Sequence, residues 1–135
     1  MTVFSTYFRD GILSYIKGTA LPTFPSNLYV ALYSVAPNRA GTGGTENTTS
    51  IRTAGRVAIP STGWDAIASS GDSRQIQNTS AVSFGNAVNT ASIVFVGLWD
   101  ASTGGNFYGG VASPFTSTAG SPVSIASGAL IIGLT

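Results

Sequence analysis

The sequence has few charged side chains and lacks cysteine and histidine altogether. Of its 135 residues, 8% are Asp, Glu, Lys or Arg, against roughly 25% in an ordinary soluble domain. Without cysteine the chain cannot form disulfides, zinc–thiolate sites or thiol nucleophiles. Without histidine it lacks the usual general base near neutral pH and the commonest transition-metal ligand. These absences exclude Ser-His-Asp and Cys-His catalysis, and we expect no enzymatic activity, no metal and no other cofactor.

The shortage of charge also bears on the surface. Small soluble domains usually keep themselves dispersed with surfaces that are roughly 25–35% charged. Here hydrophobic residues make up 43% of the chain, while six Lys or Arg and five Asp or Glu supply all the side-chain charge. We therefore expect much of the surface to be covered by other subunits of a larger assembly.

Nucleic-acid and membrane binding are not expected. The formal net charge is +1 and the basic residues are scattered, whereas nucleic-acid binders usually cluster them. No window approaches the roughly 18 apolar residues of a transmembrane helix. The first ten residues also lack the basic segment and unbroken apolar run of a signal peptide.

Near the start of the chain, apolar residues recur at steps of three or four and predict an amphipathic helix over residues 3–17. They are Phe4, Tyr7, Phe8, Ile12, Tyr15 and Ile16. Thr2 is a candidate N-cap, and Gly18 is a natural stop. The apolar face could pack on the protein's own sheet or dock on a neighbour, and the pattern leaves both open.

The remainder of the chain predicts short strands separated by turns rich in Gly, Ser and Asn. The predicted strands are residues 28–33, 52–59, 80–84, 92–99, 106–112, 121–125 and 129–134, with weaker candidates at 64–68 and 75–77. The first is apolar on both faces, so we expect it to be covered on both sides. This pattern is typical of an antiparallel sandwich or barrel. We expect a helical arm over residues 1–18 and a single β-sandwich domain over residues 28–135.

Two segments stand out as candidates for contacts with other proteins. Residues 38–50 form the longest stretch without predicted structure, and loops of this length are usually functional or disordered. The last strand is strongly apolar, and a bare edge of that kind invites aggregation. We therefore expect it to be central in a sheet or paired across a subunit boundary.

Other candidate sites are weaker. Trp64 and Tyr108 could stack on sugar rings if Asp65 or Asn106 lay nearby, but aromatic residues in small β domains more often serve as core or interface anchors. Asp65 is placed where Asp commonly stabilises loop backbone. Asn78 begins an Asn-Thr-Ser sequon, which we interpret as coincidental because no secretory signal precedes it.

A family resemblance rests on a series of short motifs in a fixed order. They are LYVALYSVAP at residues 28–37, GTE at 44–46, AGR at 54–56, VGLWDASTGGN at 96–106 and ASGAL at 126–130. In this order the sequence resembles small virion proteins of tailed bacteriophages, often labelled tail-fibre-like, which include capsid cement (decoration) proteins of the cyanophage type. The resemblance extends over nearly the whole chain. It implies a jelly-roll-like, mainly β domain, without catalytic residues, in a protein assembled in the host cytoplasm.

From this resemblance we expect a capsid cement protein that binds the outside of the phage head. Homotrimers would contact the major capsid protein and clamp the lattice. The expected assembly contacts are Phe4, Tyr7, Phe8, Ile12 and Tyr15 in the helix, Arg39 and Glu46 in the long loop, Arg52 at the start of the strand that follows it, and Leu134 in the last strand. The alternative is a module of the phage tail that is associated with a fibre or binds host glycans.

Overall fold

A computed structural model describes residues 2–135. The chain is mainly β, with 45% of its residues in strands and 10% in helices, and every strand pair is antiparallel. In chain order the elements are β1 (Val3–Phe4), α1 (Thr6–Ile16), β2 (Asn27–Val35), β3 (Thr45–Glu46), β4 (Val57–Pro60), a 3-10 turn (Ser61–Gly63), β5 (Ala68–Ser70), β6 (Ser73–Gln77), β7 (Val82–Asn86), β8 (Ala91–Trp99), β9 (Phe107–Ser117), β10 (Pro122–Ile125) and β11 (Ile131–Leu134). The predicted fold class, mainly β and antiparallel with one helix near the N-terminus, is confirmed.

The strands form one large and two small sheets, which do not close into a barrel within residues 2–135. The large sheet has the order β1-β9-β8-β2-β3, and β4 pairs with the first half of β2. β7 pairs with β10, and β6 lies between β5 and β11. The first strand of the chain therefore joins the sheet through β9, far away in sequence.

The main hydrophobic core lies on one face of the large sheet and combines its side chains with those of the small sheets. Its buried members are Val30, Leu32, Ile51, Ile59, Val82, Phe84, Ala87, Ile93, Val96, Leu98, Val123 and Leu130. A second cluster occupies the opposite face and consists of Ala31, Tyr33, Phe95, Trp99 and Phe107. Because successive strand residues point to opposite faces, β2 contributes to both clusters. Its predicted burial on both sides is confirmed.

The helix is shorter than the periodicity predicted. It begins at Thr6, because the side chain of Ser5 caps it by accepting a hydrogen bond from the Phe8 N–H at 3.1 Å. The expected cap, Thr2, instead donates its hydroxyl to the carbonyl of Ile131. Phe4, predicted to be helical, lies in β1. The helix ends at Ile16, two residues before the predicted stop at Gly18.

The predicted strand over residues 52–59 is wrong in its first half. Gly55 adopts a positive φ of 72° in a turn, a conformation that glycine adopts without steric cost. Pairing with β2 begins only at Val57. The turn directs Arg56 towards the second hydrophobic cluster, where its guanidinium lies over the Trp99 ring.

The outer edge of β9 is protected at two places. β1 pairs with it at Gly109 and Gly110, where the backbone approach is so close that a Cβ at Gly109 would collide with the carbonyl of Val3. Farther along, Pro114 coincides with a bulge between β8 and β9. Proline and bulges are common means of preventing unwanted strand pairing at sheet edges.

Candidate interaction surface

The first half of α1 is anchored by aromatic contacts. The rings of Phe4 and Phe8 stack with centroids 4.9 Å apart. Tyr7 and Phe8 lie 5.6 and 5.7 Å from the ring of Tyr108 at the start of β9. This part of the predicted apolar stripe therefore packs on the protein's own sheet.

The second half of the helix carries apolar side chains into solvent. Among the described residues, no member of α1 is buried, and Ile16 is 75% exposed. The linker that follows adds two further exposed apolar side chains. We refer to these exposed apolar side chains of the helix and the linker as the helix–linker surface: Leu13, Tyr15, Ile16, Leu21 and Phe24.

A shallow apolar groove of about 180 Å³ runs between the helix and the linker. It is lined by Tyr7, Phe8, Gly11, Ile12, Leu21, Pro22, Phe24 and Tyr108. A Cβ added at Gly11 would meet no other atom within 4 Å in the described chain. Glycine inside a helix costs about 1 kcal/mol relative to alanine, and a helix of this length is marginal by itself. An external surface packed against the second half of the helix would stabilise it.

The long loop is held by a buried ion pair instead of projecting freely. Arg56 donates from Nε and Nη2 to the two carboxylate oxygens of Glu46, each at 2.9 Å. Its Nη1 donates to the carbonyls of Ala101 and Gly104, and its guanidinium carbon lies 4.1 Å from the Trp99 ring centroid. The guanidinium therefore connects three loops over the second hydrophobic cluster.

Beneath this ion pair, the hydroxyl of Tyr33 accepts a hydrogen bond from Trp99 Nε1 at 2.9 Å. Burial raises the pKa of Tyr33 to about 12, and the negative charge of Glu46 adds to the increase. Burial likewise raises the pKa of Tyr108, under the helix, to about 12. Both phenols therefore remain protonated at pH values that ionise an unfolded tyrosine.

These raised pKa values predict a loss of stability in alkali. Below about pH 10 the contribution of Tyr33 is fully present, and it is lost as the pH rises to about 12, because only the unfolded state releases its proton in that interval. At about pH 11, Tyr33 alone should lower the free energy of unfolding by about 1.4 kcal/mol. Urea unfolding between pH 8 and pH 11 measures this dependence. It should be weaker in Tyr33→Phe, and an unchanged pH dependence would contradict the assignment.

The structure places the remaining predicted contact residues in different surroundings. Arg39 is exposed, and its carbonyl accepts a hydrogen bond from the Thr6 N–H at the start of the helix. Arg52 is half-buried, and its Nε has no hydrogen-bond partner among residues 2–135. Leu134 is exposed on β11. Glu46 is engaged by Arg56, so the nine residues do not form one surface.

The candidate sugar-binding arrangement is not formed in the part of the chain that the structure describes. Trp64 and Tyr108 line a small apolar cavity of about 120 Å³ beneath the helix, among Leu28, Ile76, Leu98 and Ile132. Asp65 accepts the N–H of Gln77, and Asn106 donates to Asp100. The aromatic rings and the polar side chains thus serve separate structural purposes.

The structure also bears on metal and membrane binding. Residues 2–135 contain no group of three or more acidic side chains placed to hold a metal ion. In the same range, no helix combines the length and the hydrophobicity required to cross a bilayer.

The sequence was compared with protein families and with curated proteins. The sequence model of a family described as "Podophage GP4 fiber I protein gp80" matches residues 3–133. The chain belongs to this family. No curated protein matches the sequence. The predicted resemblance to tail-fibre-like virion proteins of bacteriophages is thereby confirmed at the level of the family, which is one of fibre-type structural proteins of the phage virion.

Proposed function

We propose that this protein is a non-enzymatic structural subunit of the phage tail, fixed to a larger fibre assembly by its helix–linker surface. The observation that carries the proposal is the exposed apolar half of α1, with Ile16 projecting from a helix whose aromatic contacts with the sheet lie at its start. The family's description as a fibre protein supports a position on the tail.

The energetics favour attachment through this surface. Full burial of one large apolar side chain contributes roughly 1.5–3 kcal/mol, and the helix–linker surface presents five such side chains. Part of this gain offsets the entropy lost on association. Covering the groove beside Gly11 would also stabilise a helix that has few contacts of its own.

A capsid cement protein, bound as a homotrimer to the major capsid protein, is the second candidate. The low proportion of charged residues favours it, because a subunit embedded in a lattice presents less surface to water. The same helix–linker surface would then contact the shell. Glycan recognition receives no comparable support, since Trp64 and Tyr108 line a cavity without a neighbouring free polar side chain.

The attachment can be tested with purified protein added separately to tails and to expanded capsids, each taken from particles that lack it. We expect saturable binding to tails. Ile16→Lys should weaken this binding roughly tenfold or more, because it places a charge where a large apolar side chain would be buried. The matched control is Val35→Lys, which changes another exposed apolar residue, at the end of β2 beside the edge strand β3.

The possible results separate the candidates. Binding to capsids alone would replace the tail assignment with the cement function. Equal binding by the wild type and Ile16→Lys would contradict the role of the helix–linker surface. Circular dichroism of both variants checks that each retains the fold.

A further inference from the structure

Charged side chains are distributed unevenly along the chain. Ten of the eleven occur in residues 1–74, and Asp100 is the last one in the sequence. The carboxylate of Asp100 is occupied, since it accepts hydrogen bonds from the backbone and side-chain nitrogens of Asn106 at 2.6 and 2.7 Å. The strands β9, β10 and β11 therefore contain no Asp, Glu, Lys or Arg.

These three strands lie along one side of the sandwich. A groove of about 440 Å³ separates β11 from Phe4 and Val111. A second groove, of about 480 Å³, separates residues 113–118 from β10, and both grooves reach Ala129. We call this side, formed by residues 111–117 with β10 and β11, the uncharged strand face. Neither groove is lined by a charged side chain.

The strand face includes an open sheet edge. β11 pairs with β6 on one side, and no other strand within residues 2–135 pairs with it on the other. The Thr2 hydroxyl donates a hydrogen bond to the carbonyl of Ile131. The side chain of Ile131 is 41% exposed. Unlike β9 with Pro114, this edge has neither a proline nor a charged side chain to prevent pairing.

The nearest charged side chain on the paired strand β6 is that of Arg74, which lies opposite Leu134. Its Nη1 donates to Ser69 Oγ at 2.6 Å, which directs the guanidinium along the outer strand β5. The edge itself is therefore free of charged side chains.

We propose that the uncharged strand face binds a second copy of this chain. When two copies of one chain pack around a twofold axis, a charged group close to the axis lies opposite the same group of the other copy, and the two repel each other. A face without charge avoids this repulsion, and strand pairing at β11 would satisfy its open N–H and C=O groups. Contacts with a different protein more often gain specificity from complementary charge. The helix–linker surface is better suited to contact with a different protein, because the charged residues Arg9, Asp10 and Lys17 are close to it in the helix sequence.

This proposal goes beyond attachment to the virion and concerns a different set of residues, so the two can be tested separately. Sedimentation measures the mass of the wild type, Ile131→Lys, Val35→Lys and Ile16→Lys at equal micromolar concentrations. We expect the wild type to be an oligomer. Ile131→Lys should weaken self-association by roughly tenfold or more, whereas the two other lysine variants should remain oligomeric.

A second measurement covers the case in which Ile131→Lys fails to fold. Hydrogen–deuterium exchange in wild-type residues 129–135 should become slower as the protein concentration rises, because pairing protects the outward amides of β11. A monomeric wild type, exchange that is independent of concentration, or dissociation by Ile16→Lys but not by Ile131→Lys would overturn the proposal.

Discussion

Replacing Asn78 with alanine should lower the free energy of unfolding by about 3–5 kcal/mol. The residue is 1% exposed and its side chain makes three hydrogen bonds. Nδ2 donates to the carbonyls of Ser80 and Ala126 at 2.8 and 2.9 Å, and Oδ1 accepts the Leu130 N–H at 2.8 Å. Alanine would leave the buried Leu130 N–H without a partner, at a cost of about 1–3 kcal/mol, and would remove two further hydrogen bonds worth about 0.5–1.5 kcal/mol each.

The isosteric variant Asn78→Asp gives a sharper test. It replaces the donating amide by a carboxylate oxygen that faces two carbonyls, so at neutral pH it should destabilise more than alanine does. Acidification protonates the carboxyl and should recover part of the loss. Urea unfolding at both pH values measures the effect. Ser127→Ala, which removes one exposed hydrogen bond to the Thr79 carbonyl, should cost less than about 1 kcal/mol and serves as control.

Removal of the Arg56 side chain should be comparably destabilising, by about 3–5 kcal/mol in Arg56→Ala. Its guanidinium is only 6% exposed, and truncation would leave the carboxylate of Glu46 without its partner. The carbonyls of Ala101 and Gly104 would also lose their donor. Arg56→Lys should rescue little, because an ammonium cannot reproduce the two parallel hydrogen bonds.

A double variant separates the ion pair from its packing. Arg56→Met with Glu46→Leu removes both charges together, and exchange of a buried pair for apolar residues is often nearly neutral. We therefore expect the double variant to be more stable than Arg56→Ala. Arg74→Ala, which affects an exposed arginine with one side-chain hydrogen bond, should change stability by less than about 1 kcal/mol. A large effect of Arg74→Ala would contradict this account.

The apolar patterns predicted most strands of the sheet, because the side chains that a strand buries are apolar and recur with the period of the strand. The alternation in β2 indicated two covered faces, and the structure places Val30 and Tyr33 in different clusters. The same criterion failed at residues 52–56, where Gly55 turns the backbone to bring Arg56 over Trp99. The ion pair with Glu46 stabilises that turn, and hydrophobic periodicity carries no information about it.

Asn78 shows why the polar framework could not be predicted. In the sequence it is part of a sequon that resembles a surface site, whereas in the structure it connects β6 to the segment before β11. Its partners are backbone groups far away in the chain. Such groups exist in every residue, so no side-chain pattern indicates which of them will meet.

The exposed apolar residues of the helix–linker surface were predicted only in part. The stripe that marked the helix includes Phe4 and Phe8, which pack inward, and Ile16, which projects. Leu13 is not part of that stripe. An apolar residue on the other side of an amphipathic helix is the feature of the sequence that could have indicated a second contact face. Leu21 and Phe24 lie between the predicted helix and the first predicted strand, in a segment where no apolar periodicity indicates a contact.

The pairing of β1 with β9 has a consequence for synthesis of the protein. Val3 is translated more than a hundred positions before its partner Gly110. Sheets that depend on such distant pairs form slowly, because the chain loses the entropy of the intervening loop before the stabilising contacts between the two strands form. A nascent chain stopped before β9 should therefore lack the anchored helix, so the helix–linker surface takes its final position only after β9 has been synthesised.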